Sequence, residues 1–318
     1  MKEIGIFEVG GFRIGHAQNK EAATGCTVVL FDEMSPAGLD VRGGGPASRE
    51  SQILSPVAQA EAINAILLSG GSAFGLDAAG GVMKYLEERN QGFDVGVTKV
   101  PLVSQSCLFD LSVGAVDVRP DGAMAYLACE NANAEFCPQG NVGAGTGCSV
   151  GKLRGMGRAM KSGFGTYAIQ VGPFKVGALV AVNALGDIYE DGRMIAGLLN
   201  AEGTGLSNSL EELFGGVEKM TGIFTGNTTL GIIVTNCRLN KTQLTKVAGM
   251  THNGYARAIR PVHTNADGDS IYAVSTGRIP GDVNLIGTMA ALAMEKAIAR
   301  ATRAAESAYG LKSIHDFT

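Results

Sequence analysis

The sequence predicts a single α+β domain in which helices cover two packed sheets. Strand-like and helix-like segments alternate unevenly along the 318 residues, and several strands are apolar enough to be buried on both faces. No internal repeat and no charged linker divides the chain. A hydrophobic fraction of 45% is sufficient for one large core.

In the first half of the chain, short apolar runs alternate with glycine-rich turns. Residues 40–50 (DVRGGGPASRE) are predicted to form a loop, and a helix is predicted from about 51 to 64. A second helix is predicted after Gly70 and Gly71, with Ser72 as a candidate N-cap. The strands predicted in this half are 26–31, 65–68 and 111–118.

The middle of the chain is rich in glycine. Residues 141–165 are predicted to form a loop that approaches another part of the molecule closely. The segments 166–171 and 176–182 form a predicted hairpin closed by a Gly-Pro turn. Residues 187–224 are more polar and weakly patterned, which predicts an exposed linker or excursion.

The last third of the chain contains the clearest element boundaries. An apolar, β-branched strand is predicted at 230–234. Asn240, followed three residues later by Gln243, predicts a capping box for a helix that runs to about residue 259. A strand at 270–276 and a long alanine-rich helix at 283–305 complete the chain.

Composition and charge argue against several classes of partner. The formal net charge is −4 and no basic run is present, so we predict no nucleic-acid partner. No window holds the roughly 18 apolar residues of a membrane span. The N-terminus has no signal-peptide pattern, so we expect a cytoplasmic protein. None of the six cysteines forms a C-x-x-C pair, so we expect free thiols.

Common cofactor and catalytic motifs are absent from the sequence. The four histidines lack zinc-site spacing, so we predict no metal ion. GAGTG at 143–147 lacks the third glycine of a dinucleotide fingerprint, and there is no phosphate loop, so we predict no cofactor. GGSAFG at 70–75 is not a nucleophile elbow.

Two acidic residues precede the strand at 270–276. Asp267 and Asp269 are two residues apart, so in an extended chain both carboxylates would point to one face. Like charges this close raise one pKa unless a cation or hydrogen-bond donors compensate. The alternative is a solvated Asp-Gly-Asp turn, which is the commoner fate of such a triplet.

The stretch TGNTTLGIIVTN, residues 225–236, runs from turn-forming residues into a buried strand. A threonine hydroxyl is a weak nucleophile, but at a chain N-terminus the free α-amine serves as its general base. If Thr228 attacked the carbonyl of Asn227, the chain would cut itself there, and a strained turn would favour the attack. Taken alone, this stretch fits a plain turn before a strand better than a self-cleavage site.

Eight segments, in order along the chain, carry a family resemblance. They are DVRGGGPASRE (40–50), AILLSGGSAFGLDAAGGV (65–82), VPLVSQSCLFDL (100–111), NVGAGTGCSVGK (141–152), MKSGFGT (160–166), VGALVAVNALG (176–186), GNTTLGIIVTN (226–236) and NGYARAIRPVHTNADGDSIYAVSTG (253–277). In these segments the sequence resembles the L-aminopeptidase/D-esterase and β-aminopeptidase family of self-cleaving hydrolases, to which the nylon-oligomer hydrolase is related.

The resemblance implies a four-layer αββα sandwich, similar to N-terminal-nucleophile hydrolases but differently connected. It implies one domain, 1–318, cut into an α chain, 1–227, and a β chain, 228–318. Thr228 would be the nucleophile and, through its new amine, the base. Family resemblance also suggests a homo-oligomer of αβ units, a tetramer or larger.

Further site residues are implied by the same resemblance. Asn183 would contribute its side-chain amide to the oxyanion hole. Asp269 would hold the nucleophile region, and Asp267 matches a position that is Ser in β-aminopeptidases and Asp in the nylon-oligomer hydrolase. Lys161 matches a lysine of the latter enzyme, and its charge would offset the two aspartates.

The implied activity is hydrolysis of short peptides or amino-acid amides through an acyl-enzyme on Thr228. Three carboxylates are candidates for binding the substrate ammonium: Glu50, Asp77 and Asp110. The tyrosine that β-aminopeptidases carry near the substrate is absent around Cys107, which argues against a β-peptide preference. Three alternatives remain: an acyltransferase similar to ornithine acetyltransferase, an endo-type oligoamide hydrolase, and an uncleaved, non-catalytic binding protein.

Overall fold

The computed structural model describes residues 1–216 and 226–317, and these form four layers in the order helix, sheet, sheet, helix. The predicted αββα sandwich is therefore confirmed. The strands are β1 (Lys2–Ile4), β2 (Phe12–Asn19), β3 (Thr24–Ser35), β4 (Ala37–Val41), β5 (Ala47–Arg49), β6 (Ile63–Ser69), β7 (Phe93–Asp94), β8 (Lys99–Val100), β9 (Val103–Cys107), β10 (Ser149–Val150), β11 (Met160–Lys161), β12 (Phe164–Val171), β13 (Phe174–Asn183), β14 (Asp187–Glu190), β15 (Arg193–Ala196), β16 (Thr228–Arg238), β17 (Ile259–Arg260) and β18 (Ser270–Pro280). The α-helices are α1 (Ala79–Glu87), α2 (Gly122–Glu130), α3 (Ser209–Gly215), α4 (Lys241–Ala258) and α5 (Val283–Arg303).

Two large sheets form the centre of the sandwich. One has the strand order β1-β12-β13-β16-β18-β4 and the other β2-β3-β6-β9-β5. Neighbouring strands are antiparallel except for β16 with β18 and β6 with β9. Apolar side chains fill three interfaces: α4 and α5 against the six-stranded sheet, the two sheets against each other, and α1 and α2 against the five-stranded sheet.

The helices of the outer layer begin where their caps predict. The Asn240 side chain accepts a hydrogen bond from the Gln243 amide, and the Gln243 side chain accepts one from the Asn240 amide, which confirms the predicted capping box of α4. Asp282 caps α5 by accepting from the Leu285 amide. Every helix in the described part of the chain is too short or too polar to cross a bilayer.

The helix predicted at 51–64 is wrong. Residues Ser51–Leu54 form one 3-10 turn, and β6 begins at Ile63. Pro56 is incompatible with a continuous helix because it lacks an amide hydrogen. The buried Lys241 ammonium instead donates hydrogen bonds to three backbone carbonyls of this segment, those of Ile53, Ala58 and Ala60.

One predicted strand is replaced by turns, and one predicted N-cap lies a residue earlier, although its helix is present. Residues 111–118 form turns and not a strand, since the Val113 amide bonds back to the Asp110 carbonyl. The helix after Gly70 starts as a 3-10 helix, Ser72–Ala78, and continues as α1. Gly71, in a left-handed conformation with φ 83°, is its N-cap, whereas Ser72 is not.

The segment 187–224 is only partly the exposed excursion that its polarity predicts. Its first residues form the β14–β15 hairpin, which pairs with β17. The buried Asp187 carboxylate accepts from the amides of Leu198 and Ser209 and so ties the hairpin to α3. Residues 217–224, together with Thr225 of the predicted turn, lie outside the described residues.

The remaining predicted strands are confirmed. The segment 26–31 lies within β3, 65–68 within β6, and the hairpin is β12 with β13. The segments 230–234 and 270–276 lie within β16 and β18. All six cysteines are unpaired: Cys26, Cys107, Cys129, Cys137, Cys148 and Cys237.

Candidate active site

Thr228 lies at the end of the six-stranded sheet. It is the first residue of β16 and stands directly opposite Asn183, the last residue of β13. Opposed residues of antiparallel strands project to the same face. Leu230, two residues on, packs between the two sheets, so Thr228 faces that interlayer as well. The Thr228 residue is only 4% exposed.

The carbonyl of Asn227 receives two hydrogen bonds. The Thr228 hydroxyl donates to it from the adjoining residue, and the Gly268 amide donates to it at 3.0 Å. A Cβ on Gly268 would lie 2.6 Å from Thr228 Oγ1, so only glycine fits there without a shift. The hydroxyl and a polarising donor therefore meet at the peptide bond between Asn227 and Thr228.

Asp267 and Asp269 are both buried, at 2% and 1% exposure, which excludes a solvated turn. Asp269 Oδ1 accepts the Thr229 amide at 2.8 Å, next to the candidate nucleophile. Asp267 Oδ2 accepts the amide of Thr264 at 2.8 Å and its hydroxyl at 2.6 Å. Burial and then the charge of Asp269 raise the pKa of Asp267 to about 6.

The loop predicted at 40–50 is shorter in the structure, because β4 ends at Val41 and β5 begins at Ala47. The glycine-rich loop between these two strands covers the two aspartates with its backbone. The amides of Arg42 and Gly43 donate to the Asp269 carbonyl, and the Gly45 amide donates to the Asp267 carbonyl at 2.8 Å. A Cβ on Gly43 would lie 2.4 Å from the Asp267 carbonyl oxygen and from the Asp269 nitrogen. A Cβ on Gly44 would lie 2.7 Å from the Asn265 Cα, so this close approach explains the first two glycines of the run.

Lys152 is a site residue that sequence reasoning did not select. Its buried ammonium donates to the carbonyl of Asn183 at 3.0 Å, to Asn183 Oδ1 at 2.8 Å and to the Gly226 carbonyl at 3.0 Å. Burial lowers the pKa of Lys152 to about 7. The available signal was its place at the end of the segment 141–152, a lysine among small and apolar residues.

The described hydrogen bonds of Lys161 do not include Asp267 or Asp269. Its buried ammonium donates to the carbonyls of Gly145, Cys148 and Ser162, and burial lowers its pKa to about 8. Lys161 is on β11, which pairs with β10, and its acceptors Gly145 and Cys148 belong to the glycine-rich loop of residues 141–148 that precedes β10. The described contacts of Lys161 therefore stabilise this loop. The lysine whose positive charge acts on Asp267 is Lys152, and this charge lowers the pKa of Asp267.

The Asn183 amide has a fixed orientation. Oδ1 accepts from Lys152 and from the Ser149 amide at 3.1 Å, while Nδ2 donates to the Phe109 carbonyl at 2.7 Å. Because Oδ1 faces donors, a flipped amide would bring N–H groups against N–H groups. The Nδ2 atom carries a second hydrogen, which is the one an oxyanion could use.

The three candidate carboxylates for a substrate ammonium differ in environment. Asp110 is buried, accepts the Thr24 hydroxyl at 2.6 Å and the Gly71 amide at 2.7 Å, and has its pKa raised by burial. Glu50 and Asp77 are exposed, next to or on the 3-10 helices of residues 51–54 and 72–78. The role assigned to these three residues stays a prediction.

The sequence matches known proteins along nearly its whole length. The model of peptidase family S58 matches residues 5–315. An uncharacterized aminopeptidase of Mycobacterium leprae is 34% identical, covering 96% of this chain and 92% of its own length. A 6-aminohexanoate-oligomer endohydrolase of an Agromyces species is 32% identical, covering 87% of this chain and 76% of its own length.

Solved structures share the fold. A β-aminopeptidase of a Burkholderia species aligns with a TM-score of 0.69 at 21% identity, covering 98% of this chain and 90% of the other. The L-aminopeptidase D-Ala-esterase/amidase of Ochrobactrum anthropi, described as a variant of the N-terminal-nucleophile hydrolase fold, aligns with a TM-score of 0.69 at 18% identity, covering 98% and 91%. Together with the sequence match, these results confirm the family resemblance: the chain belongs to peptidase family S58, a family of amide-bond hydrolases, and has the fold of these solved structures.

Proposed function

We propose that the chain cuts itself between Asn227 and Thr228, and that the freed Thr228 hydrolyses amide bonds in short peptides or amino-acid amides. One observation carries the proposal. The Thr228 hydroxyl and the Gly268 amide both bind the Asn227 carbonyl, so a nucleophile and an oxyanion donor meet at one peptide bond.

Self-cleavage would proceed as an N→O acyl shift. Thr228 Oγ1 attacks the Asn227 carbonyl carbon, and negative charge develops on the oxygen that the Gly268 amide already holds at 3.0 Å. The C–N bond breaks, and the hydroxyl proton passes to the Thr228 nitrogen. Water then hydrolyses the ester, leaving an Asn227 carboxylate and a free Thr228 amine.

Lys152 supports this step from the other side of the peptide bond. It donates to the Gly226 carbonyl at 3.0 Å and so fixes the residue before Asn227. Through Asn183 Oδ1 it also fixes the amide that would serve the later hydrolysis. Asp269 holds the residue after Thr228 through the Thr229 amide. The nucleophile is thus positioned on both sides, as near-attack geometry requires.

Hydrolysis would use the same hydroxyl with a new base. The Thr228 amine accepts the Oγ1 proton while the oxygen attacks the substrate carbonyl. Asn183 Nδ2 has a hydrogen to donate to the developing oxyanion, a contact worth about 3–4 kcal/mol in such sites. The amine then protonates the leaving group, and water releases the acyl group from Thr228.

A second candidate function is endo-type hydrolysis of an oligoamide. It is favoured by the relatives named 6-aminohexanoate-oligomer endohydrolase, which are 32% identical over 86–87% of this chain. The acyltransferase alternative shares the acyl-enzyme and differs in the group that accepts the acyl chain. The homo-oligomer of αβ units and the cytoplasmic location remain predictions.

The proposal is tested by comparing three substrates on the purified wild-type protein. Hydrolysis of an aminoacyl p-nitroanilide, with loss of rate when its amino group is acetylated, supports an aminopeptidase. Cleavage of a linear amide oligomer with a blocked amino end, at its internal bonds, supports endo-type hydrolysis. Peptide mapping of a mechanism-based acylating probe should place the label on Thr228; an active protein labelled at any other residue would contradict the mechanism.

A further inference from the structure

His263 binds the carboxylate of Asp269 at two points. Its backbone amide donates to Asp269 Oδ2 at 3.1 Å, and its ring Nδ1 lies 2.9 Å from the same oxygen. A carboxylate oxygen only accepts, so Nδ1 carries the hydrogen of this contact. The other carboxylate oxygen accepts the Thr229 amide at 2.8 Å. Asp269 therefore connects His263 to the residue beside the candidate nucleophile.

The backbone of His263 adopts a conformation that most residues avoid. Its φ is 59°, in the left-handed region, which costs a residue with a Cβ roughly 1–2 kcal/mol. This conformation brings the amide and Nδ1 of one residue to a single carboxylate oxygen. Strain of this kind persists only where the surroundings enforce it, and it concentrates at functional sites.

Two aromatic rings hold the imidazole in place. Tyr255 stacks on it with ring centroids 5.9 Å apart, and His252 packs edge-on at 4.7 Å. Within the described part of the chain, Nε2 of His263 has no hydrogen-bond partner. The polar contact of the ring is therefore made through Nδ1, toward Asp269.

We propose that His263 is a positioning residue for the reaction: it orients Asp269, and Asp269 in turn fixes the start of β16 at Thr228. The proposal rests on the proposed function, because it assumes that Thr228 is the nucleophile. It assigns His263 no contact with the substrate and no proton transfer. Its effect is on geometry, and it should appear in the rate of the chemical steps and not in substrate binding.

Two substitutions separate the ring from the backbone. His263→Gly keeps the amide and relieves the left-handed strain, but it removes Nδ1. His263→Asn also tolerates the left-handed conformation, and its side-chain N–H can replace the Nδ1 donor. His16→Gly is the matched control, because His16 is also partly buried and bonded through Nδ1, at 2.9 Å to the Thr27 hydroxyl, but lies on β2 in the other sheet.

The measurements are the first-order rate of self-cleavage, kcat and KM on a p-nitroanilide substrate, and the melting temperature. We expect His263→Gly to lower kcat and the self-cleavage rate by roughly 10–100-fold, the loss of one charge-assisted hydrogen bond, with KM within about twofold. His263→Asn should recover most of the rate. His16→Gly should lower the melting temperature while leaving kcat unchanged.

The outcomes distinguish the two proposals. A wild type that cleaves and hydrolyses, beside a His263→Gly variant with unaltered kcat, overturns the role of His263 alone. The same holds if His263→Asn is as impaired as His263→Gly, or if His16→Gly loses kcat equally, since the effect would then follow stability. A wild type that neither cleaves nor hydrolyses overturns the proposed function and this inference together.

Discussion

Two buried lysines, nine residues apart, occupy different regions of the molecule. Lys152 and Lys161 each donate three hydrogen bonds, and burial lowers the pKa of both. Their acceptors differ: Lys161 binds carbonyls of its own glycine-rich loop, whereas Lys152 binds the Asn183 amide and the Gly226 carbonyl. The two side chains are thus of the same type and equally buried. They differ in the groups that accept their hydrogen bonds, and these groups determine the role of each ammonium.

A buried lysine with a lowered pKa therefore identifies a functional site only when its hydrogen-bond partners belong to that site. The carbonyls bound by Lys161 are buried within its own segment of the chain. Those of Gly145 and Cys148 also accept backbone amide hydrogens, so the contacts of this lysine are structural. The groups bound by Lys152 flank the peptide bond between Asn227 and Thr228. We therefore expect the same substitution to reduce activity at Lys152 and to reduce stability at Lys161.

The largest effect is expected for Lys152→Met. The substitution keeps the length of the side chain and removes the donor to Asn183 Oδ1 and to the Gly226 carbonyl, so self-cleavage and kcat should fall by at least about 100-fold. Lys161→Met, the control, should keep a rate within about tenfold per folded chain. Both rates are measured by time-resolved mass spectrometry and a chromogenic assay. Equal losses in the two variants would contradict the comparison.

Asn183→Ala should have an effect on kcat of comparable size, but without the effect of Lys152→Met on the Gly226 carbonyl. It removes the amide that Lys152 and the Ser149 amide orient, so kcat should fall by about 100- to 1,000-fold, the usual loss for one oxyanion donor. Thr146→Ser, a conservative change in the loop that Lys161 braces, provides the comparison. Steady-state kinetics on processed protein would measure the loss. A wild-type kcat in Asn183→Ala would remove this residue from the oxyanion hole.

Lys161→Met should reduce stability. The carbonyls of Gly145 and Cys148 keep a backbone donor, whereas the Ser162 carbonyl loses the donor described for it. The loss is partly offset because an ammonium no longer has to be buried, so the free energy of unfolding should fall by about 1–3 kcal/mol. Denaturant unfolding in a Thr228→Ala background, where the chain is expected to stay whole, measures this without interference from self-cleavage. An unchanged midpoint would show that the loop does not depend on this lysine.

The smallest effect is a change in the pH dependence of stability. The pKa of Lys161 is lowered to about 8 in the folded protein, from an ordinary value near 10.5. Between these values the unfolded chain binds more protons, so the free energy of unfolding should rise with pH across that window. Lys161→Met should make this rise shallower. Unfolding curves recorded across the window test the sign, and a slope unaltered by the substitution would refute it.

Local signals in the sequence predicted local structure well. Asn240 and Gln243 predicted a capping box because its donors and acceptors lie within four residues. The helix expected at 51–64 failed partly on a local signal, because Pro56 interrupts it. The path that the segment takes instead depends on the distant Lys241, which binds its carbonyls, a contact that no local pattern contains. The four layers followed from the family resemblance more than from periodicity.

The residues of the candidate site also differ in how well the sequence predicted their positions. Thr228 and Asp269 lie at the ends of strands with clear patterns, and the structure brings them together through the Thr229 amide. Lys152 lies in an irregular glycine-rich loop, where sequence spacing gives no direction for a side chain. The position of Lys161 was equally undetermined from the sequence, and only the three-dimensional path of the loop separates the two.

The most direct test of the account is the denatured mass of the purified protein, with Thr228→Ala measured beside the wild type. Cleavage after Asn227 would give pieces of 227 and 91 residues (318 − 227), the smaller one beginning with Thr228. We predict these two pieces for the wild type and a single chain for the variant. A wild type that stays at 32.8 kDa after long incubation would contradict the central claim, because Thr228 would then have no free amine to act as its base.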